Sequence, residues 1–231
     1  MPENMIRLFD ILISGFTLIV LLPLLIPVVI ILRITGEGEI LFLQERVGKN
    51  KKMFFLYKFA TMLKDSPNIG TGTVTLKDDP RVLPLGTFLR KTKINELPQL
   101  INILKGDMSV IGPWPQTQRC FSAFPELAKN DIVNVRPGLS GIGSVVFRNE
   151  ENMIHANANP SRIYDDIIMP YKGKLESWYV RNNSVWNYLI LIALTIIVVF
   201  TRSTQVIFRC YSSIPRPPEA LKTFISSDYY E

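Results

Sequence analysis

From Ile11 to Leu32 the chain carries no charged residue, and from Leu18 to Leu32 it is apolar throughout except for Pro23 and Pro27. Few soluble folds can bury such a segment. As a straight helix its 22 positions would measure about 33 Å, enough to cross a hydrocarbon core of about 30 Å. The two prolines complicate a simple span, because each removes a backbone donor and crowds the carbonyl one turn back. The segment is therefore expected to enter the membrane and turn back. A cleaved leader is the weaker reading, since no basic stretch precedes the run and the prolines interrupt it.

After this run come Arg33, Arg46, Lys49, Lys51 and Lys52, against Glu37, Glu39 and Glu45. The excess of positive charge beside the apolar segment places the body on the cytoplasmic side. A second apolar run, Tyr188 to Phe200, is 13 residues or about 20 Å as a helix, too short to cross alone. It is expected to lie in the interface or to pack on the body, with Trp178, Tyr179, Trp186 and Tyr188 suited to the headgroup level.

The remaining composition narrows the class. With 47% hydrophobic and 20% charged residues, the chain buries too much apolar surface to be disordered. Its two cysteines, Cys120 and Cys210, stand far apart and support neither a disulfide framework nor a zinc site. The net charge of +6 comes with neither an aromatic stacking repeat nor a nucleic-acid motif, so nucleic acid is not an expected partner. There is no P-loop or dinucleotide fingerprint, and His155 stands alone.

The middle reads as a helix-rich mixture of α and β. Glu39 to Phe42 and Met53 to Lys58 have strand character, and Ser66 to Asp79, with Pro67, Gly70 and Gly72, reads as an exposed mobile loop able to act as a lid. Three segments follow: a membrane helix over 1–35, a cytoplasmic body over 36–201 that includes an interfacial helix near 186–200, and a tail over 202–231. Pro215, Pro217 and Pro218 give that tail the composition of an extended appendage.

The clearest soluble helix is expected from Asn95. Ile94, Leu97, Leu100, Ile101 and Leu104 recur at three- and four-residue steps, and Gly106 supplies a stop. Asn95 then occupies the cap and Glu96 the first turn, with Pro98 tolerated beside them. A capped helix with an acidic first turn is also common in inert proteins. What raises the interest is the surrounding charge: Lys58, Arg81 in Asp79-Pro80-Arg81, Arg90, Lys91, Lys93, and Arg136 in Arg136-Pro137-Gly138. Arginines beside Pro and Gly in apolar surroundings suit anion binding, for which the guanidinium fork matches phosphate oxygens.

The motifs Lys58-Phe59-Ala60-Thr61-Met62, Asp79-Pro80-Arg81, Leu89-Arg90-Lys91-Thr92, Glu96-Leu97-Pro98-Gln99-Leu100, Lys105-Gly106-Asp107-Met108-Ser109, Gly112-Pro113-Trp114-Pro115 and Arg136-Pro137-Gly138 follow one another in this order. Over about residues 5 to 200 the chain resembles bacterial sugar transferases of the monotopic phosphoglycosyl transferase family. The resemblance implies a mixed α/β membrane-associated domain with a re-entrant N-terminal helix and interfacial amphipathic helices, at the cytoplasmic face of the bacterial inner membrane. It implies transfer of a sugar 1-phosphate from a UDP-sugar to undecaprenyl phosphate, with release of UMP and with Mg2+, as the first step of a surface glycan such as exopolysaccharide, capsule or O-antigen. The mechanism it implies is covalent, with a carboxylate attacking the β-phosphate.

In that family Asp-Glu usually precedes Leu-Pro, with the Asp as nucleophile, whereas this chain has Asn95-Glu96. An amide cannot form the acyl phosphate. Glu96 is then the carboxylate expected to act, as nucleophile or as metal ligand, with Asn95 orienting the reactive group and Asp107 a second candidate metal ligand. Lys58, Arg81, Arg136 and Arg148 are the candidate phosphate contacts. Ala60 and Trp114 stand where Arg is common. The alternative is a non-catalytic subunit of a glycan assembly complex that binds lipid phosphate or nucleotide sugar. The sugar is not fixed by the sequence, and a homodimer stays open.

Overall fold

The computed structural model describes residues 2–35, 37–68, 79–148, 160–201 and 203–226. Helix α1 runs over Pro2–Ile34, beginning nine residues before the charge-free run and continuing through Pro23 and Pro27. It carries Glu3 in its first turn and Arg33 in its last, each the sign that the helix dipole favours. A strand hairpin follows, β1 (Leu41–Val47) and β2 (Met53–Phe59). The first strand starts two residues later than Glu39 and extends well beyond Phe42; the second matches its expected span closely.

The chain groups into two compact units: one of Met1–Asp10, Arg46–Phe54 and Gly106–Glu231, the other of Ile11–Glu45 and Phe55–Lys105. In the latter, Leu25, Val28 and Leu32, at helical spacing on α1, form a core with Phe59 of β2 and Leu89 of α2 (Pro84–Lys91). Ile94, Leu97 and Ile40 pack against it. This core uses one stripe of α1. Leu12, Phe16, Ile19 and Val20 remain exposed, so the helix is apolar on faces that the protein itself does not cover.

The other unit is built around a parallel pair, β3 (Ser109–Ile111) and β4 (Gly138–Ser140), with Ser109 opposite Gly138 and Ile111 opposite Ser140. Helices α4 (Gln118–Ser122), α5 (Glu126–Ile132) and α6 (Ile142–Val146) precede α7 (Pro160–Ile163), a π turn over Tyr164–Ile168 and α8 (Met169–Arg181). Phe121, Phe124, Ala128, Met169 and Val47 form its core. Helix α9 (Val185–Thr201) buries Tyr188, Leu191, Leu194 and Val198, which recur at helical spacing. Its other side exposes Trp186, Ile190, Ile196, Val199 and Phe200. The short apolar run thus packs on the body along one stripe and leaves the rest uncovered.

One expectation changes, and a second is reached only at its ends. Over its described residues, 203–226, the tail is not extended: it forms α10 (Gln205–Cys210) and α11 (Glu219–Ser226), and Ile207, Ile214 and Leu221 are buried. Tyr171 Oη donates to the Pro215 carbonyl at 2.9 Å, and Thr204 Oγ1 donates to the Ile225 carbonyl at 3.2 Å. The prolines join two helices that apolar burial holds in place. For the loop, Ser66 and Asp79 are both buried and Ser66–Asn68 form a 3-10 turn, while the rest of the expected lid, 69–78, lies outside the described residues. His155 lies outside them too.

Candidate active site

The residues before the apolar helix fold differently from the expected cap. Helix α2 gives way at Lys93, which takes the left-handed conformation (φ 61°), and Ile94–Glu96 then form a 3-10 turn. Helix α3 covers Gln99–Lys105. The delay has a local cause. Leu97 N–H bonds Ile94 C=O, Leu100 N–H bonds Leu97 C=O and Ile101 N–H bonds Pro98 C=O, all three-residue steps, and Pro98 has no donor of its own. Asn95 is therefore not a cap. It is buried in the turn, and its Oδ1 has no hydrogen-bond partner. Gly106 ends α3 as expected, at φ 93°.

Glu96 closes the turn, and its Oε1 lies 3.7 Å from Nζ of Lys58, the next-to-last residue of β2. Both side chains are largely covered, at 16% and 19% exposure. The separation is an ion pair without a short hydrogen bond. A carboxylate and an ammonium held this way at a partly covered surface present a nucleophile or ligand beside a cation able to hold a phosphate oxygen.

The other candidate cations have protein partners. Arg81 is 4% exposed; its Nε and Nη2 donate to the two oxygens of Asp79 at 2.8 and 2.6 Å, and its Nη1 donates to Ser66 C=O at 2.8 Å. Arg136 donates through Nε to Gly106 C=O at 2.9 Å and through Nη1 to Glu3 at 3.0 Å, and Glu3 also takes Lys49. Arg148 donates to Val198 C=O of α9. Asp107 follows Gly106 and is half-buried. Lys58, Arg81, Asn95 and Glu96 belong to one compact unit; Asp107, Arg136 and Arg148 belong to the other.

Among the described residues no three His, Cys, Asp or Glu side chains gather. Magnesium does not need them: it is commonly held by one or two carboxylates together with substrate phosphates. A Glu96 oxygen and the unpartnered Asn95 Oδ1 are hard donors of the required kind on a single turn, so the residues present fit the ion.

Several residues with no expected role shape these elements. Asn102 of α3 is fully buried, accepts Tyr57 N–H through Oδ1 at 2.9 Å and donates through Nδ2 to Phe55 C=O at 2.8 Å. Its spacing from Asn95 and Gln99, amides at helical steps of four and three, was the available signal. Glu176 of α8 accepts Trp114 N–H, a contact that no sequence pattern marked, whereas Tyr179 and Tyr188, expected at the headgroup level, are instead buried, and Tyr179 Oη donates to Ile111 C=O. The parallel strands set the Gly112-Pro113-Trp114-Pro115 and Arg136-Pro137-Gly138 motifs side by side, with Gly138 N–H on Pro113 C=O at 2.8 Å.

The chain belongs to the bacterial sugar transferase family, whose model matches residues 1–202. It is 33% identical over 199 residues to a UDP-N-acetylgalactosamine-undecaprenyl-phosphate N-acetylgalactosaminephosphotransferase of Aeromonas hydrophila, covering 84% of this chain and 43% of that protein. It is 32% identical to an undecaprenyl-phosphate galactose phosphotransferase of Salmonella typhimurium, covering 85% of this chain and 40% of the relative. An exopolysaccharide production protein of Rhizobium leguminosarum is 44% identical over 151 residues, 60% of this chain and 72% of that protein. The chain thus spans about two fifths of the length of the first two relatives.

Proposed function

We propose that this chain transfers a sugar 1-phosphate from a UDP-sugar to undecaprenyl phosphate at the cytoplasmic face of the bacterial inner membrane, in the initiating step of surface glycan synthesis. The observation that carries the reading is the Glu96–Lys58 pair, a largely covered carboxylate and ammonium 3.7 Å apart within the span that the family model matches. A Glu96 oxygen attacks the β-phosphorus of the donor, the bond from that phosphorus to the bridging oxygen breaks, and UMP leaves with the electron pair. An oxygen of the lipid phosphate then attacks the same phosphorus and restores the carboxylate. Lys58 holds a phosphate oxygen and offsets charge that would repel an anionic nucleophile. Magnesium, when bound by Glu96 and Asn95 together with the diphosphate, supplies further neutralisation of that charge.

The exposed apolar faces of α1 and α9 support lipid contact, α1 entering the membrane and α9 lying at its surface. The basic residues after α1 favour the cytoplasmic side.

The test is intact-mass spectrometry of purified protein with UDP-glucose, UDP-galactose and UDP-N-acetylgalactosamine, each with magnesium and without acceptor. A phosphosugar adduct on Glu96 with release of one UMP per adduct, and repeated turnover with further UMP release once undecaprenyl phosphate is added, are the expected results. Absence of both across the panel would overturn the reading.

Asn95 favours one second reading, a subunit that binds these substrates without turnover. Asn95→Asp separates the two: activity that appears only in this variant supports the binding subunit, whereas turnover by the unaltered chain excludes it.

A further inference from the structure

Resting on the transferase reading above, we infer that Asn102 is a positioning residue, which sets the distance between Lys58 and Glu96 by clamping β2 onto α3. Its side-chain amide bonds two groups on the same edge of the strand, accepting from Tyr57 N–H at 2.9 Å and donating to Phe55 C=O at 2.8 Å. These residues are two apart, so the amide completes the hydrogen-bond pattern that a neighbouring strand would supply and prevents β2 from sliding along α3.

Lys58 is the next residue after Tyr57. On its other side Phe59 is buried in the core against which Ile94 and Leu97 pack, Ile94 being the first residue of the turn that carries Glu96 and Leu97 the residue that follows it. Lys58 is thus fixed on one side by a polar clamp and on the other by apolar packing. A third tie lies further along α3, where Lys105 Nζ donates to Tyr57 Oη at 2.8 Å. Asn102 is fully buried, so water does not compete for its two bonds, and the strand-to-helix register they fix is passed to the lysine. Apolar packing alone tolerates small slides of a strand; a bidentate amide does not.

A double-mutant cycle in the full-length protein tests the inference. UMP release is measured with the three UDP-sugars, undecaprenyl phosphate and magnesium for the unaltered chain, Asn102→Ala, Lys58→Met and the double variant, with thermal unfolding recorded for each. A residue that acts through Lys58 loses its effect once Lys58 is gone. Asn102→Ala is expected to lower kcat/KM by about 10-fold or more alone and by less than about 2-fold in the Lys58→Met background. Equal losses in both backgrounds would overturn the positioning role and leave the transferase reading standing. Indifference of turnover to Lys58→Met and to Glu96→Gln would overturn the pair itself, and the inference with it. Where Asn102→Ala does not fold, Asn102→Asp, which keeps the acceptor for Tyr57 N–H, enters the same cycle. If the unaltered chain binds without turnover, the cycle is read on UDP-sugar affinity by calorimetry; absence of both turnover and binding overturns both claims.

Discussion

The Glu176 carboxylate lies inside the protein against the backbone of Trp114, accepting its N–H at 3.3 Å. Through this contact α8 holds the loop of the Gly112-Pro113-Trp114-Pro115 motif, and Gly143 leaves the room it needs: a Cβ there would stand 2.2 Å from Glu176 Oε1. Burial pushes the Glu176 carboxyl up to about 7 from its ordinary 4.5, while the Trp114 N–H and the Lys172 ammonium pull the other way.

That shift makes stability depend on pH. Between about 4.5 and 7 the folded protein keeps the Glu176 proton that the unfolded chain releases, so this contribution is complete below pH 4.5, falls as pH rises to about 7 and is flat above. Glu176→Gln removes the dependence. Its midpoint of thermal unfolding is expected to gain on the unaltered protein as pH is raised from 5 to 8, measured by calorimetry in matched buffers; parallel curves would contradict the assignment.

Arg81 and Asp79 form a buried, doubly hydrogen-bonded pair. Removing one member leaves an uncompensated charge indoors, whereas removing both removes that penalty. Arg81→Leu is expected to lower the unfolding midpoint by several degrees, and Arg81→Leu with Asp79→Leu to recover part of the loss. If Arg81→Leu instead leaves stability intact and weakens UDP-sugar binding, Arg81 serves the substrate.

Asp10 ties the first turns of α1 to β3 and α9. Its Oδ1 accepts Ser109 Oγ at 2.8 Å, Val110 N–H at 2.8 Å and Tyr188 Oη at 2.9 Å. Asp10→Ala leaves these donors without their acceptor at a buried site, at a cost of ~3 kcal/mol or more. Denaturant unfolding in detergent checks the value.

Leu221 is fully buried although it lies beyond the family match, which ends at 202. Leu221→Ala should destabilise the chain by ~3 kcal/mol in a single cooperative transition, as a core residue does. An unchanged midpoint would return the tail to the status of an appendage.

Much of the candidate site was legible because it is written in adjacent residues. Asn95, Glu96, Pro98 and Gly106 mark a turn and a helix end through their own backbone preferences, and the N-terminal apolar helix follows from composition along one stretch of chain. Local preference ran short at Asn95, where the lack of a donor at Pro98 and the left-handed Lys93 replaced a capped helix by a 3-10 turn. The arginines were harder still. Arg81 has its main partner, Asp79, two residues away, but its Nη1 acceptor Ser66 lies 15 residues away, and nothing in the sequence around Arg136 or Arg148 states which donors are already taken, since Glu3 and Val198 lie 133 and 50 residues away.

The sequence by itself determined the membrane-suited helix, the family and the acidic turn, all of which depend on residue type and short spacing. Only the tertiary structure decided that Lys58 faces Glu96, that Asn102 clamps the strand carrying that lysine, and that the proline-bearing tail folds back. The physical reason is that a hydrogen bond or a buried contact forms between whichever groups the fold brings within about 3 to 4 Å, and chain distance does not encode that proximity.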